Sequence, residues 1–230
     1  SGPCASLLSF LSIYDLADDE TYLLLDIGGT TTDIFFSVGD KYLFLADGLE
    51  INQYQTQINS VYFKSIDLGG NTSFKLSASD VVFTRALEPM SLGGKNPTIT
   101  DALNVLGDSE VGDIGLSKAY LSKVEAKRVI NKMVETIKEE VEKELEAINS
   151  KPIYTVKQLL LKENLKVDKI KVIGGPSKAL AKYLESVFKI ETTYPKEFLY
   201  ANAIGALTAK KTRSLTLYAD TEKEYLTIPK

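Results

Sequence analysis

A short run near the start of the chain combines acidic, glycine and threonine residues, in the order Asp26-Ile27-Gly28-Gly29-Thr30-Thr31-Thr32-Asp33. Adjacent glycines let a backbone turn sharply and approach a ligand, while successive amides and hydroxyls can surround phosphate oxygens. Carboxylates at the two ends of such a turn can hold a hydrated magnesium ion. The run therefore predicts a phosphate-binding loop formed by Gly28, Gly29, Thr30, Thr31 and Thr32, with Asp26 and Asp33 as catalytic carboxylates and Mg2+ ligands.

The same run also fits an ordinary β-hairpin with no ligand. In that interpretation Gly28-Gly29 satisfies a type I′ turn, the threonines serve strand propensity and the aspartates serve solubility. The run alone does not decide between a phosphate loop and a plain hairpin.

A second glycine pair lies in Gly174-Gly175-Pro176-Ser177, between the apolar stretch 169–173 and a helical pattern. At a junction from strand to helix, the backbone can lie flat against an adenine or ribose and donate amides. We therefore expect Gly174, Gly175 and Ser177 to contact the nucleoside of a bound nucleotide, in the same cleft as the first loop. An ordinary connection with Pro176 at the first helical position explains the same residues.

Composition excludes several other chemistries. The 230 residues include no histidine and a single cysteine, which rules out Ser-His and Cys-His catalysis, histidine zinc sites and an internal disulfide. A net charge of -4 disfavours a broad nucleic-acid-binding surface. No apolar run approaches the roughly 20 residues that cross a bilayer, and no signal-peptide pattern is present. These features predict a globular cytoplasmic protein that binds neither nucleic acid nor membrane.

The elements that must position the two loops follow an α/β pattern. Apolar residues at helical spacing predict a first helix over 4–16. Three short strands separated by tight turns predict a meander at 21–26, 32–38 and 42–46. The Gly-rich stretch 57–107 is predicted to be a small strand-rich insertion that ends in a helix start, with strands at 61–66, 73–76 and 81–84.

Longer helical patterns dominate the second half of the chain. Ser122 and Glu125 form a capping box before a sustained apolar stripe, which predicts one long helix over 123–149. Further elements are expected as a helix at 155–164, a strand at 169–173, helices at 177–188 and 198–210, and a hairpin within 213–230. Small residues on the 198–210 helix predict close approach of a neighbouring element. We expect one domain over residues 1–230, and the start at Ser1 indicates a processing site or a boundary within a longer protein.

Six short runs follow one another in a characteristic order: 1–6, 26–33, 66–73, 97–102, 173–176 and 201–206. Together with the tail 218–222, they resemble successive landmarks of the hydantoinase A and oxoprolinase family, across the whole chain. The resemblance implies an α/β lobe of the actin-like ATPase superfamily, with a ribonuclease H-like mixed sheet. The run Gly69-Gly70-Asn71-Thr72-Ser73 is less rich in glycine than in the large hydantoinases, which leaves the substrate open.

The resemblance also implies a reaction: ATP-dependent opening of a cyclic amide such as 5-oxoproline or a hydantoin, or phosphorylation of a ketone as in the related carboxylases. Magnesium and positioned amides would support phosphoryl transfer without a histidine base. Substrate contacts are implied for the residues Asp67, Gly69, Gly70, Asn71, Ser73, Thr98, Thr100 and Asp101. In that family the N-terminal half carries its own phosphate loop, so an N-terminal domain or partner subunit is expected to complete the site.

Two alternatives stay open at the level of sequence. A non-catalytic actin-like ATPase module that reactivates or remodels a partner enzyme would carry the same loops. Its partner would bind the exposed face of the 123–149 helix. The lobe in isolation could also bind nucleotide weakly or not at all.

Overall fold

The computed structural model describes residues 2–17, 19–38, 41–42, 64–150, 165–209, 218–220 and 225–227. The helices in these ranges are α1 (Gly2–Ile13), α2 (Ile99–Leu106), α3 (Ile114–Tyr120), α4 (Lys123–Asn149), α5 (Ser177–Phe188) and α6 (Ala201–Thr208). The strands are β1 (Thr21–Ile27), β2 (Thr32–Val38), β3 (Lys41–Tyr42), β4 (Lys64–Ile66), β5 (Thr72–Leu76), β6 (Val81–Ala86), β7 (Lys169–Ile173), β8 (Thr192–Thr193), β9 (Tyr218–Asp220) and β10 (Tyr225–Thr227). Residues Met90–Leu92 form a short 3-10 helix.

The main sheet is mixed, with strand order β3-β2-β1-β7-β8 and with β4 paired to β2. Strand β2 runs antiparallel to β1, β3 and β4, whereas β1, β7 and β8 are parallel. Because β1 and β7 are parallel neighbours, their carboxyl ends lie side by side at one edge of the sheet. This is the edge at which open α/β sheets bind ligands.

Strand β1 is buried on both faces, which explains its nearly continuous apolar sequence. Side chains alternate between the faces with a period of two. Leu23, Leu25 and Ile27 belong to the core cluster that includes the buried side of α4. Tyr22 and Leu24 belong to a second cluster that includes residues of α1 and α6. Asp26 is two residues beyond Leu24 and lies on the same face of the strand. Asp26 therefore points toward the face that α1 and α6 cover.

The long helix α4 begins and ends where the sequence predicts. The Ser122 hydroxyl accepts a hydrogen bond from the Glu125 amide, and the Glu125 carboxylate accepts one from the Ser122 amide. Its buried positions recur at helical spacing: Ala126, Val129, Ile130, Met133, Val134, Ile137 and Val141. Helices α2 and α5 pack against α4 and complete the layer on this face of the sheet.

Helices α1 and α6 cover the opposite face and approach each other closely. A Cβ atom added to Gly205 would lie 1.8 Å from the carbonyl oxygen of Ala5 and 2.7 Å from the amide nitrogen of Ser9. Only glycine fits at this crossing. The small residues predicted to admit a neighbouring element therefore do so, and that neighbour is the first helix of the chain.

The remaining elements agree in part with the sequence. Strands β9 and β10 pair antiparallel within the predicted closing hairpin. In the stretch 57–107, β5 and β6 form their own two-stranded sheet, whereas β4 joins the main sheet. The predicted helix at 155–164 and most of the third meander strand lie outside the described residues. Helix α3 was not predicted. In the described ranges, no helix is both long and apolar enough to cross a membrane.

Candidate functional site

Two glycine segments pack backbone against backbone beyond the carboxyl end of β1. The carbonyl oxygens of Gly28 and Gly29 accept hydrogen bonds from the amides of Gly70 and Asn71, at 2.9 and 2.6 Å. A Cβ atom added to Gly69 would lie 2.6 Å from the Gly28 carbonyl oxygen, so a side chain is excluded there. The segment that the sequence assigned to the substrate side thus supports the first glycine loop directly.

The first loop is not a type I′ turn. The Gly28 amide donates to the Thr31 carbonyl at 2.8 Å, which closes the turn. Type I′ geometry needs positive φ at its central residues, but neither Gly28 nor Gly29 has positive φ, so the plain-hairpin interpretation in that form is wrong. Within the described part of the chain, the amides of Gly29, Thr30 and Thr31 donate no hydrogen bond to the protein. Three successive unpaired amides suit an anion.

The second glycine loop lies against the end of β1. Gly174 has a φ of 98°, and a Cβ atom there would lie 2.1 Å from the Ile27 carbonyl oxygen. Its amide donates to the Phe198 carbonyl at 2.9 Å. Gly175 differs, because it is exposed and an added Cβ would meet nothing within 4 Å. The two glycine loops are therefore in contact, and Gly175 leaves an open edge beside them.

Two hydroxyls predicted to contact the nucleotide are instead used within the protein. The Thr32 hydroxyl is buried and donates to the Leu68 carbonyl at 2.6 Å. Ser177 is also buried, and its hydroxyl donates to the Gly174 carbonyl at 2.6 Å. Both side chains bind loop backbone, and neither is exposed.

Asp26 and Asp33 face each other across the β1–β2 pair, and both are less than a tenth exposed. Burial raises the pKa of the Asp33 carboxyl; a hydrogen bond with Ser65 opposes this rise, and the nearby charge of Asp26 adds to it. One oxygen of Asp26, Oδ2, accepts hydrogen bonds from the Ser6 hydroxyl at 2.5 Å and the Asn202 amide at 2.9 Å. Its other oxygen, Oδ1, is buried and has no hydrogen-bond partner among the described residues.

This pair of carboxylates suits a divalent cation that prefers oxygen. Buried polar atoms are normally hydrogen-bonded, so an unpaired carboxylate oxygen indicates a missing ligand. In the described ranges, no group of three or more His, Cys, Asp or Glu residues could hold a metal. Mg2+ needs no such group, because it binds through one or two carboxylates together with waters and substrate phosphates. The oxygen donors of Asp26 and Asp33 therefore fit the ligand preference of Mg2+.

Asp101 has an internal role instead of the predicted contact with substrate. It is fully buried, and its two carboxylate oxygens accept hydrogen bonds from the amides of Met90, Ser91 and Thr98 and the hydroxyls of Thr98 and Ser117. Burial by itself would raise the pKa of Asp101, but the hydrogen bonds from Ser117, Ser91, Thr98 and Met90 outweigh it and lower the pKa. Both oxygens of Asp101 are therefore already hydrogen-bonded within the protein, and the side chain is not exposed to a ligand.

Other residues of the predicted substrate side divide into two groups. Ser73 and Thr98 are buried and pair with each other in a β-bridge. Thr100 donates from its amide and its hydroxyl to the Gly70 carbonyl, both at 2.8 Å, and so holds the 69–71 segment. Asp67 is exposed and Asn71 is partly exposed, so these side chains can still meet a substrate.

Sequence reasoning missed the two partners of Asp26. Ser6 lies on α1 and Asn202 on α6, and both lie in runs that resemble family landmarks. Their place in these runs was the available signal, but nothing in the runs indicates which residues the two side chains contact.

Comparison with known proteins identifies the family. The family model described as hydantoinase/oxoprolinase matches residues 1–214, so the chain belongs to this family. No curated protein sequence matches the chain at a significant level.

Solved structures that resemble the chain include an acetone carboxylase and a caprolactamase. Nucleotide-free acetone carboxylase superimposes with a TM-score of 0.59 at 16% identity, covering 95% of this chain and 33% of that one. The ATP-dependent caprolactamase from Pseudomonas jessenii gives a TM-score of 0.54 at 18% identity, covering 90% and 32%. The chain thus spans about a third of the length of these two structures. The mixed sheet and its helices confirm the predicted α/β class, and these two matches show that the chain shares its fold with part of each structure.

Proposed function

We propose that this chain is the ATP-binding lobe of a hydantoinase or oxoprolinase-like enzyme that uses ATP to activate and hydrolyse a cyclic amide. The observation that carries the proposal is a pair of unmet needs: Oδ1 of Asp26 is buried and has no hydrogen-bond partner among the described residues, and the amides of Gly29, Thr30 and Thr31 donate to none of those residues. A carboxylate oxygen that suits a cation and amides that suit an anion, within six residues of sequence, fit a magnesium-bound phosphate.

Each group has a defined task in this proposal. The amides of Gly29, Thr30 and Thr31 would donate to phosphate oxygens, and Asp26 and Asp33 would hold Mg2+. The ion neutralises phosphate charge when bound. Gly174 and the exposed Gly175 would lie along the nucleoside, while Asp67 and Asn71 would lie toward the substrate.

The reaction that this site would support is phosphoryl transfer to the carbonyl oxygen of the ring amide. The terminal phosphoryl group leaves ADP and bonds to that oxygen, which makes the amide carbon electrophilic. Water then adds to the carbon and the ring C–N bond breaks as the nitrogen leaves with a proton, which gives an open-chain acyl phosphate. A second water hydrolyses the acyl phosphate, so that the products are ADP, phosphate and an open-chain carboxylic acid. Positioned amides and a metal suffice for the first step, and no histidine is required. The rest of the parent protein, or a partner subunit, would supply the other half of the site.

The test measures ATP hydrolysis by the full-length protein with and without candidate substrates. We expect turnover that rises on addition of 5-oxoproline, a hydantoin or a lactam and that requires Mg2+. A rate of ATP hydrolysis that no cyclic amide changes, but that a protein partner increases, would contradict the proposed enzymatic function. It would favour an ATPase module that reactivates a partner enzyme. No binding of Mg-ATP by the full-length protein would overturn both functions.

A further inference from the structure

We infer that Ser6 and Asn202 are positioning residues of the magnesium-nucleotide site: together they engage Oδ2 of Asp26 and leave Oδ1 for the metal. This inference rests on the proposed function and extends it to two residues outside the glycine loops. Neither residue would touch ATP or substrate. They would change metal affinity only by setting the orientation of the Asp26 carboxylate.

The asymmetry between the two oxygens of Asp26 is the first observation. Oδ2 receives two hydrogen bonds, from a hydroxyl and a side-chain amide, whereas Oδ1 is buried and receives none among the described residues. An ionised carboxylate can accept about four hydrogen bonds over its two oxygens. Two donors concentrated on one oxygen fix the rotation of the carboxylate group and leave the other oxygen to an external ligand.

The rigidity of the two donors is the second observation. Ser6 lies on α1 beside Ala5, whose carbonyl oxygen is in contact with Gly205 of α6. Asn202 lies one turn before Gly205 on the same helix. Because the helix backbones are in contact at this crossing, the packing limits any change in the distance between the two donors. The Asp26 carboxylate, which accepts from both, is held in one orientation relative to both helices.

The direction in which Oδ1 points is the third observation. A Cβ atom placed on Gly174 would lie 2.9 Å from Oδ1, so this oxygen borders the second glycine loop. The free oxygen thus lies where the two loops meet. Groups that orient a metal ligand typically change metal affinity by about 10–100-fold when they are removed.

The alternative is that these hydrogen bonds only fasten two helices to the sheet. That role would affect stability and leave metal affinity unchanged. Ser9 provides a matched control: it is another buried serine of α1, and its hydroxyl donates to the Ser6 carbonyl rather than to Asp26.

The experiment measures Mn2+ binding to the full-length protein by electron paramagnetic resonance, in the presence of the ATP analogue AMPPNP. We expect Ser6→Ala and Asn202→Ala each to weaken Mn2+ binding by about tenfold or more, and Ser9→Ala to stay within about twofold of wild type. Asn202→Asp keeps the size of the side chain but replaces the donor with a second negative charge. It should therefore disturb Asp26 at least as strongly, and it offers a folded variant if an alanine substitution proves unstable.

Unfolding of each variant without metal or nucleotide separates the two roles. Variants of Ser6 and Asn202 that match wild type in Mn2+ affinity, and differ only in the denaturation midpoint, would overturn the positioning role and leave the proposed function intact. A wild-type protein that binds neither Mn2+ nor AMPPNP would overturn the proposed function and this inference together.

Discussion

Asp26 and Asp101 are both buried aspartates next to the glycine segments, but their surroundings differ. Asp101 is fully enclosed and both of its oxygens are hydrogen-bonded. Asp26 has one hydrogen-bonded oxygen and one buried oxygen with no partner in the described chain. A fully satisfied carboxylate stabilises the fold, whereas a half-satisfied one is incomplete until a ligand arrives. The hydrogen bonds of each carboxylate therefore distinguish a structural aspartate from a candidate ligand-binding aspartate, which the residue type alone cannot do.

The largest expected effect is on stability, at Asp101. Asp101→Ala removes the acceptor for donors from the 3-10 helix, from Thr98 and from α3, so the free energy of unfolding should fall by about 3–5 kcal/mol. Urea denaturation at neutral pH measures this change. A loss below about 1 kcal/mol would contradict the assignment of Asp101 as the internal hydrogen-bond centre.

The second effect concerns Gly174, which joins the two glycine loops. Gly174→Ala places a methyl group against the Ile27 carbonyl at a positive φ, and we expect it to cost about 3 kcal/mol in unfolding free energy. Gly175→Ala is the control, because its Cβ would enter open space, and its effect should stay within about 0.5 kcal/mol. Equal losses at the two positions would show that the close contact with β1 is not formed.

The third effect is on binding, at Asp26. Asp26→Asn should weaken Mg-ATP binding at least about tenfold, or about 1.4 kcal/mol, because the cation loses a charged oxygen ligand. Stability without ligand should change little, since the substitution also removes the repulsion from Asp33. Isothermal titration calorimetry measures the affinity. Asp19→Asn is the control, at an exposed aspartate away from the glycine loops, and should bind as wild type does.

The smallest effect is the contribution of Asp101 to acid sensitivity. Its folded-state pKa is lowered, so the unfolded chain takes up a proton first as the pH falls. The contribution of Asp101 to stability is therefore fully present above its unfolded value of about 3.9 and is lost as the pH falls through its lower folded value. Urea midpoints measured from pH 5 downward should fall more steeply for wild type than for Asp101→Asn. Parallel curves would contradict the lowered pKa.

Sequence alone predicted the elements whose signals are local. The bounds of α4 follow from a capping box and a helical apolar stripe, and all of these residues lie within one segment. Strands β1 and β2 likewise lie within one residue of their predicted ends. Helix α6 begins at Ala201 instead of the predicted 198, because the carbonyl of Phe198 accepts the Gly174 amide and the chain turns there before the helix begins.

Side-chain roles could not be predicted with the same success, because they depend on contacts distant in sequence. Asn202 reaches Asp26 across 176 positions, and no periodicity or spacing encodes such a contact. The run at Thr98–Asp101 correctly predicted a helix start. Whether Asp101 faces inward or toward a ligand depends on Ser117, which lies on a different helix.

The crossing of α1 and α6 at Gly205 also has a consequence for the order in which the protein folds. During synthesis, residues 6 and 26 leave the ribosome long before residue 202, so the nascent chain can form the β1–β2 hairpin early but cannot complete the surroundings of Asp26. Contacts between residues so distant in sequence form slowly, because a long loop must close first. The surroundings of the Asp26 carboxylate are therefore among the last parts of this lobe to be organised, and binding at the proposed metal site would report that folding is complete.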